Sequence, residues 1–136
     1  MGLQEKRATK AFQDQQFPVL AEQINAASGT SLELEVDWDS MSEDEHAHLF
    51  ETAWPKVYFE PVIEALKKIC IDDMGKEALR EGVKKIVFCN RSNSHVRDHF
   101  ALENGVLTVD HKPFSNIDSG VKDREQWIED LLNAAL

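Results

Sequence analysis

The amino-acid sequence predicts an α+β fold: one domain over residues 1–136, with a four-stranded, mainly antiparallel sheet and helices packed on one face. Three observations carry this. Leu32, Leu34, Val36 and Trp38 alternate strictly with Glu33, Glu35 and Asp37, the period of a half-buried strand. Lys84–Lys112 reads as a strand, a polar loop and a hairpin closed on Asn104-Gly105. The segments before and after carry apolar residues at helical spacing, so the order is helix, strand, three helices, three strands, helix.

Taken in order, Leu3–Ala27 is helical and interrupted or kinked at Pro18, because an interior proline removes a backbone donor. Phe17, Leu20, Ile24 and Ala27 form its apolar stripe, and Gly29 ends it. The strand Ser31–Trp38 follows; its outer row of carboxylates discourages edge-to-edge pairing and suits an edge position. Ser40 with Glu43, and Ser42 with Glu45, fit the capping box, so a helix is expected from about Glu43 to Ala53. Trp54-Pro55 ends or kinks it, and Lys56–Glu60 fits either a short extended piece or a kinked continuation. Pro61 starts the next helix, with Val62, Ile63, Leu66 and Ile69 inward, and Asp72 or Asp73 caps a further one ending near Gly82.

Lys84–Asn90 is apolar on both faces and reads as a central strand. A two-residue type I′ turn at Asn104-Gly105 sets the hairpin register: Glu103 opposite Val106, Leu102 opposite Leu107, Ala101 opposite Thr108, Phe100 opposite Val109. Phe100, Leu102, Leu107 and Val109 then share one wholly apolar face. Asp118 or Ser119 caps a last helix, with Trp127, Ile128, Leu131 and Leu132 against the sheet.

The charge is uneven. Between Ala11 and Pro55 there is no Lys or Arg, and ten acids: Asp14, Glu22, Glu33, Glu35, Asp37, Asp39, Glu43, Asp44, Glu45 and Glu51. The formal net charge of −10 arises there, since the rest holds 15 basic and 15 acidic residues. Such a field repels nucleic acid and anionic membranes and attracts a basic partner. No run approaches the ~18 apolar residues of a membrane helix, and the first ten residues lack a signal-peptide core, so a cytoplasmic protein is expected. Cys70 and Cys89 are expected as buried free thiols. Nothing in the sequence sets an oligomeric state.

Two groups of residues could carry function. One is the acidic row Glu33, Glu35 and Asp37, within a segment suited to engage a basic protein partner. The other is the sheet rim. Continuing the hairpin register places His99 opposite Asp110 and Asp98 opposite His111, and a carboxylate beside an imidazole fixes its tautomer and raises its pKa. The adjoining loop adds His95 together with Arg91 and Arg97, and the guanidinium forks of the two arginines match carboxylate or phosphate. Cys89, His95 and His99 have donor types that suit zinc, but the spacing matches no common site, so neither metal nor cofactor is expected. No Ser or Cys nucleophile is tied to either Asp/His pair. The expected function is therefore a small acidic interaction or regulatory module rather than an enzyme; the alternative is a small-ligand-binding or enzymatic domain using His, Asp and Arg side chains at the rim.

Overall fold

The computed structural model describes all residues, 1–136. Seven α-helices and a four-stranded sheet follow in the order α1 (Leu3–Gln15), α2 (Phe17–Ser28), β1 (Glu33–Val36), α3 (Trp38–Met41), α4 (Phe50–Trp54), α5 (Glu60–Ile69), α6 (Asp73–Gly82), β2 (Lys85–Cys89), β3 (Phe100–Glu103), β4 (Val106–Asp110) and α7 (Val121–Ala135). Short 3₁₀ turns span Ala47–Leu49 and Arg97–His99, and Pro55–Phe59 winds as a π-helix between α4 and α5.

The sheet order is β1-β2-β4-β3, so β1 is an edge and β2 is central. Its orientation is mixed rather than mainly antiparallel: β1–β2 and β2–β4 are parallel and only β3–β4 is antiparallel. The chain between β1 and β2 carries a helical crossover, which returns the second strand in the direction of the first. The hairpin then places β4, not β3, beside β2. Gly105 anchors that choice, its carbonyl accepting from the Lys84 and Lys85 amides at 2.8 and 3.2 Å. Within the hairpin the pairs are Phe100–Val109, Ala101–Thr108, Leu102–Leu107 and Glu103–Val106, the register that the turn chemistry requires. Asn104 and Gly105 both have positive φ, 52° and 78°.

Other boundaries differ for local reasons. Pro18 lies in the first turn of α2, and the break falls at Gln16. β1 stops at Val36 because Asp37 becomes the N-cap of α3, its carboxylate accepting from the Ser40 amide. Residues 43–46 form a turn rather than a helical start: Glu45 has φ 68°, and the two serine hydroxyls point backward, Ser40 to the Asp37 carbonyl and Ser42 to the Trp38 carbonyl.

Alternation sends Ile86, Phe88, Phe100, Leu107 and Val109 into the single apolar core, where they join Phe12, Ile24, Trp54, Phe59, Leu66, Ile128 and Leu132 from the helices. Trp54, Tyr58 and Phe59 are wholly buried. Both cysteines are free and buried.

Candidate functional site

The acidic row and the rim lie in different surroundings. In the parallel register Glu33 stands beside Lys85 and Glu35 beside Val87. Lys85 therefore reaches both carboxylates, at 2.9 Å from Glu35 and 3.9 Å from Glu33, and its pKa is raised first by the Glu35 hydrogen bond. Arg91 extends from the loop after β2 to Asp37 at 3.3 Å and Glu35 at 4.0 Å. The row is thus matched by two cations of its own chain.

At the rim the two expected Asp/His pairs do not form. The chain turns as a 3₁₀ helix at Arg97–His99, and β3 begins only at Phe100, so the register cannot extend to His99 or Asp98. Both are exposed. Asp110 faces β2 instead and closes the loop there, accepting from the Arg91 amide at 2.9 Å, the Ser92 amide at 3.0 Å and the Ser92 hydroxyl at 2.9 Å. Cys89 is buried while His95 and His99 are exposed, and no three His, Cys, Asp or Glu side chains are grouped for a metal.

Beside this rim lies a cleft of about 380 Å³ between the loop of His95 and Arg97, the end of β4 at His111, and the first turn of α7. His95 and Arg97 are exposed and form its mouth; His111 (0% exposed) and Arg124 (1%) form its floor. Trp127, half-buried, supplies an aromatic wall.

Arg124 owes its position to three neighbouring features. It lies in register with Ile128 and Leu132 on the buried stripe of α7. Its guanidinium donates to the carbonyls of Asn116 (2.9 Å), Ile117 (2.9 Å) and Lys56 (3.2 Å). The last of these is available because of the π-helix. Glu60 N–H bonds Pro55 O, one residue further back than in an α-helix. In that register the donor for Lys56 O would be residue 61, a proline, which has no N–H. Arg124 fills the gap. Gly120 leaves it room, since a Cβ there would stand 2.4 Å from Arg124 Nη1. Burial lowers the Arg124 pKa to about 10.

His111 continues the inward phase of Leu107 and Val109. Tyr58, on the same π-helix, donates its hydroxyl to the His111 carbonyl at 2.5 Å. The ring packs edge-on to Phe100 and near Trp127. Burial lowers its pKa to about 4; the Lys112 carbonyl opposes the shift and Arg124 and His95 add to it.

Comparisons with protein-family models, curated proteins and solved structures find no match.

The cleft's chemistry therefore comes from its own atoms. The Arg124 cation has no carboxylate within ion-pair distance, and neither its Nε nor His111 Nε2 has a protein partner. The N-terminus of α7 adds positive potential: its N-cap is Gly120, with no side-chain cap. Asp118, expected to cap it, is instead bonded to Lys56. A larger groove of about 800 Å³ between α2 and α5, lined by Ile63, Lys67, Cys70 and Lys76, has no such buried unpartnered atom. The sequence points to His95 and Arg97, and to His111 only as the partner of Asp98, but not to Arg124. The available signal was an arginine in phase with an apolar stripe and a histidine in phase with a core strand.

Proposed function

We propose that the chain is a small-ligand-binding domain whose site is the rim cleft and whose ligand is an anion. The observation that carries this reading is the buried, unpaired Arg124 cation in the cleft floor. A desolvated charge is stable only when paired or fully hydrogen-bonded, and an anion seated beside the guanidinium would supply the Coulomb attraction that no carboxylate of the chain provides at ion-pair distance. The uncapped α7 N-terminus acts in the same direction; at the mouth Arg97 is already paired with Asp130 at 3.6 Å, and the exposed Asp123 also lines the cleft. The cleft volume lies within the range of small-molecule sites. The π-helix that serves both floor residues supports the reading too, since such turns recur at functional sites. The test titrates acetate and inorganic phosphate into ¹⁵N-labelled protein at constant ionic strength, observing the Arg124 Nε–H resonance. Saturable movement is expected, with a stabilisation of about 2.7 kcal/mol at one hundred times Kd. An Nε–H signal indifferent to both anions defeats the proposal.

A second reading keeps the acidic segment as a docking surface for a basic protein. It is favoured by Asp39, Glu45 and Glu51, which are exposed and lie outside the ion pairs that hold Glu35 and Asp37. The helices would then cover the face of Ile86 and Phe88, leaving the face of Glu33 and Glu35 for the partner. A basic polypeptide such as polylysine is expected to bind in low salt and dissociate steeply as salt rises. Salt-independent binding, or none, counts against it.

A further inference from the structure

We infer that the free edge of β1 takes an added strand from a partner polypeptide, an extended segment in which basic and apolar residues alternate. This rests on the reading of the acidic segment as a docking surface for a basic protein, and it gives that partner a binding mode.

The edge is open by the parity of its hydrogen bonds. The Glu33 and Asp37 amides donate to the Lys84 and Phe88 carbonyls, at 3.2 and 2.9 Å. Backbone groups of successive strand residues point to opposite sides, so Leu32, Leu34 and Val36 face away from β2. The Leu32 amide is met by Asn25 Oδ1 at 3.2 Å. The amides and carbonyls of Leu34 and Val36 have no counterpart, because β1 ends the sheet and pairs with β2 alone. β2 is also the only element that packs along β1, whereas β3, at the other end of the sheet, packs against α7 as well as β4. An unpaired edge is a template for strand addition. It is short, closed by Asn25 at Leu32 and by the start of α3 after Asp37, and a segment of about four residues fills it.

The side chains select the occupant. Leu34 stands beside Ile86 and Val36 beside Phe88, so both lie on the core face, and both are left half-buried at the edge. An apolar residue opposite each would extend that face. Glu33 and Glu35 lie on the other face, the Glu33 side chain 72% exposed. The cations that reach this row, Lys85 and Arg91, come from β2 and the loop after it, on the inner side of β1. The outer side adds none, since the segment from Ala11 to Pro55 holds no Lys or Arg. A second copy paired antiparallel at this edge would set carboxylate against carboxylate, whereas a lysine or arginine opposite Glu33 or Glu35 is favourable. The row that rejects self-pairing thus selects a basic strand.

The test uses two short capped peptides of alternating lysine and valine on the intact chain at low ionic strength. One is ordinary; the other is N-methylated at every amide, which keeps its charge but leaves no N–H to donate. Amide exchange of ¹⁵N-labelled protein is followed with each. In the free chain the Leu34 and Val36 amides are expected to exchange at least about tenfold faster than that of Glu35, which β2 holds. Saturation with the ordinary peptide should slow both about tenfold, and the N-methylated one should bind about tenfold more weakly, as two net hydrogen bonds imply. Val36→Pro removes one outward N–H and leaves the β1–β2 bonds in place, so the ordinary peptide should bind it about three- to tenfold more weakly. Equal binding of the two peptides, with Leu34 and Val36 unprotected by either, overturns strand addition and leaves electrostatic docking intact. If neither binds, strand addition is overturned, and polylysine then decides whether the docking reading survives. Leu34 and Val36 amides as slow as Glu35 in the dilute free chain would show the edge already closed, and protection that grows with protein concentration alone would identify a second copy; either result overturns the assignment.

Discussion

Arg124→Met is expected to lower the free energy of unfolding by about 2–4 kcal/mol. The methionine stem can follow the buried stripe of α7 beside Ile128, so little apolar packing is lost. The guanidinium's bonds to Asn116, Ile117 and Lys56 disappear; the Asn116 carbonyl keeps the Gly120 amide at 2.9 Å, while the Ile117 and Lys56 carbonyls lose the side chain that serves them. A buried acceptor left unmatched costs about 1–3 kcal/mol, and removal of a desolvated charge offsets part of the total. Equilibrium urea unfolding measures the net effect. The loop before α7 should also exchange its amides faster, because Arg124 holds it at Asn116 and Ile117. An unfolding free energy within about 0.5 kcal/mol of the parent's would mean that solvent replaces the guanidinium at no cost.

The same argument predicts a coupling that no simple packing account contains. Pro61→Ala restores an N–H in position to reach Lys56 O in the π register. In that background one of the three carbonyls no longer depends on Arg124. The combined loss in the double variant should therefore be smaller than the sum of the two single losses, by about 0.5–1.5 kcal/mol. Strict additivity would show that the π-helix and Arg124 are independent.

The hairpin was readable because two unrelated constraints agree there. Asn104-Gly105 fixes a two-residue turn, and only one register then puts Phe100, Leu102, Leu107 and Val109 on one face. The central place of β2 was readable from apolar residues on both faces. Strand direction was not, because alternation is the same in parallel and antiparallel pairs; direction depends on how the crossover and the loop after β2 route the chain. Projecting His99 onto Asp110 failed for a related reason: it assumed that β3 keeps its pairing beyond Phe100, whereas the chain turns at Arg97–His99. The capping boxes at Ser40 and Ser42 failed because a hydroxyl can bond backward as well as forward. At the cleft, sequence gives the phase of Arg124 and His111 on their elements. It does not say which partners a buried polar group will lack, since those come from a π turn fifty to seventy residues away in the chain.

His111 gives the second large effect, as a dependence of stability on pH. The ring is wholly buried, and burial drives its pKa down to about 4 from the ordinary 6.5. Of the charges that act on it, Arg124 on α7 and His95 in the mouth loop also lower the value, while Asp110 on β4 and the Lys112 carbonyl raise it. The folded chain therefore releases the His111 proton more readily than the unfolded chain does. Above pH 6.5 the ring is neutral in both states and the contribution is constant. Between 6.5 and 4 the unfolded chain binds the proton and the folded chain does not, so stability falls as pH falls, and below 4 the loss is complete. The gap between the two values corresponds to up to about 3 kcal/mol. Carboxylates titrate at the lower end of this range, so the informative quantity is the difference between the parent and His111→Phe, which keeps a ring between Phe100 and Trp127 but cannot bind a proton. Unfolding free energies measured from pH 7 to 4 should fall more steeply in the parent, with the excess slope beginning near 6.5. Parallel curves would mean that the folded ring accepts its proton as easily as a solvated one, which requires water or an anion to reach it. Ligand-free protein at low ionic strength is accordingly the sample on which the steep slope is expected. Anions that hydrogen-bond a protonated Nε2 would flatten it, so the stability curve also reports whether the cleft is filled.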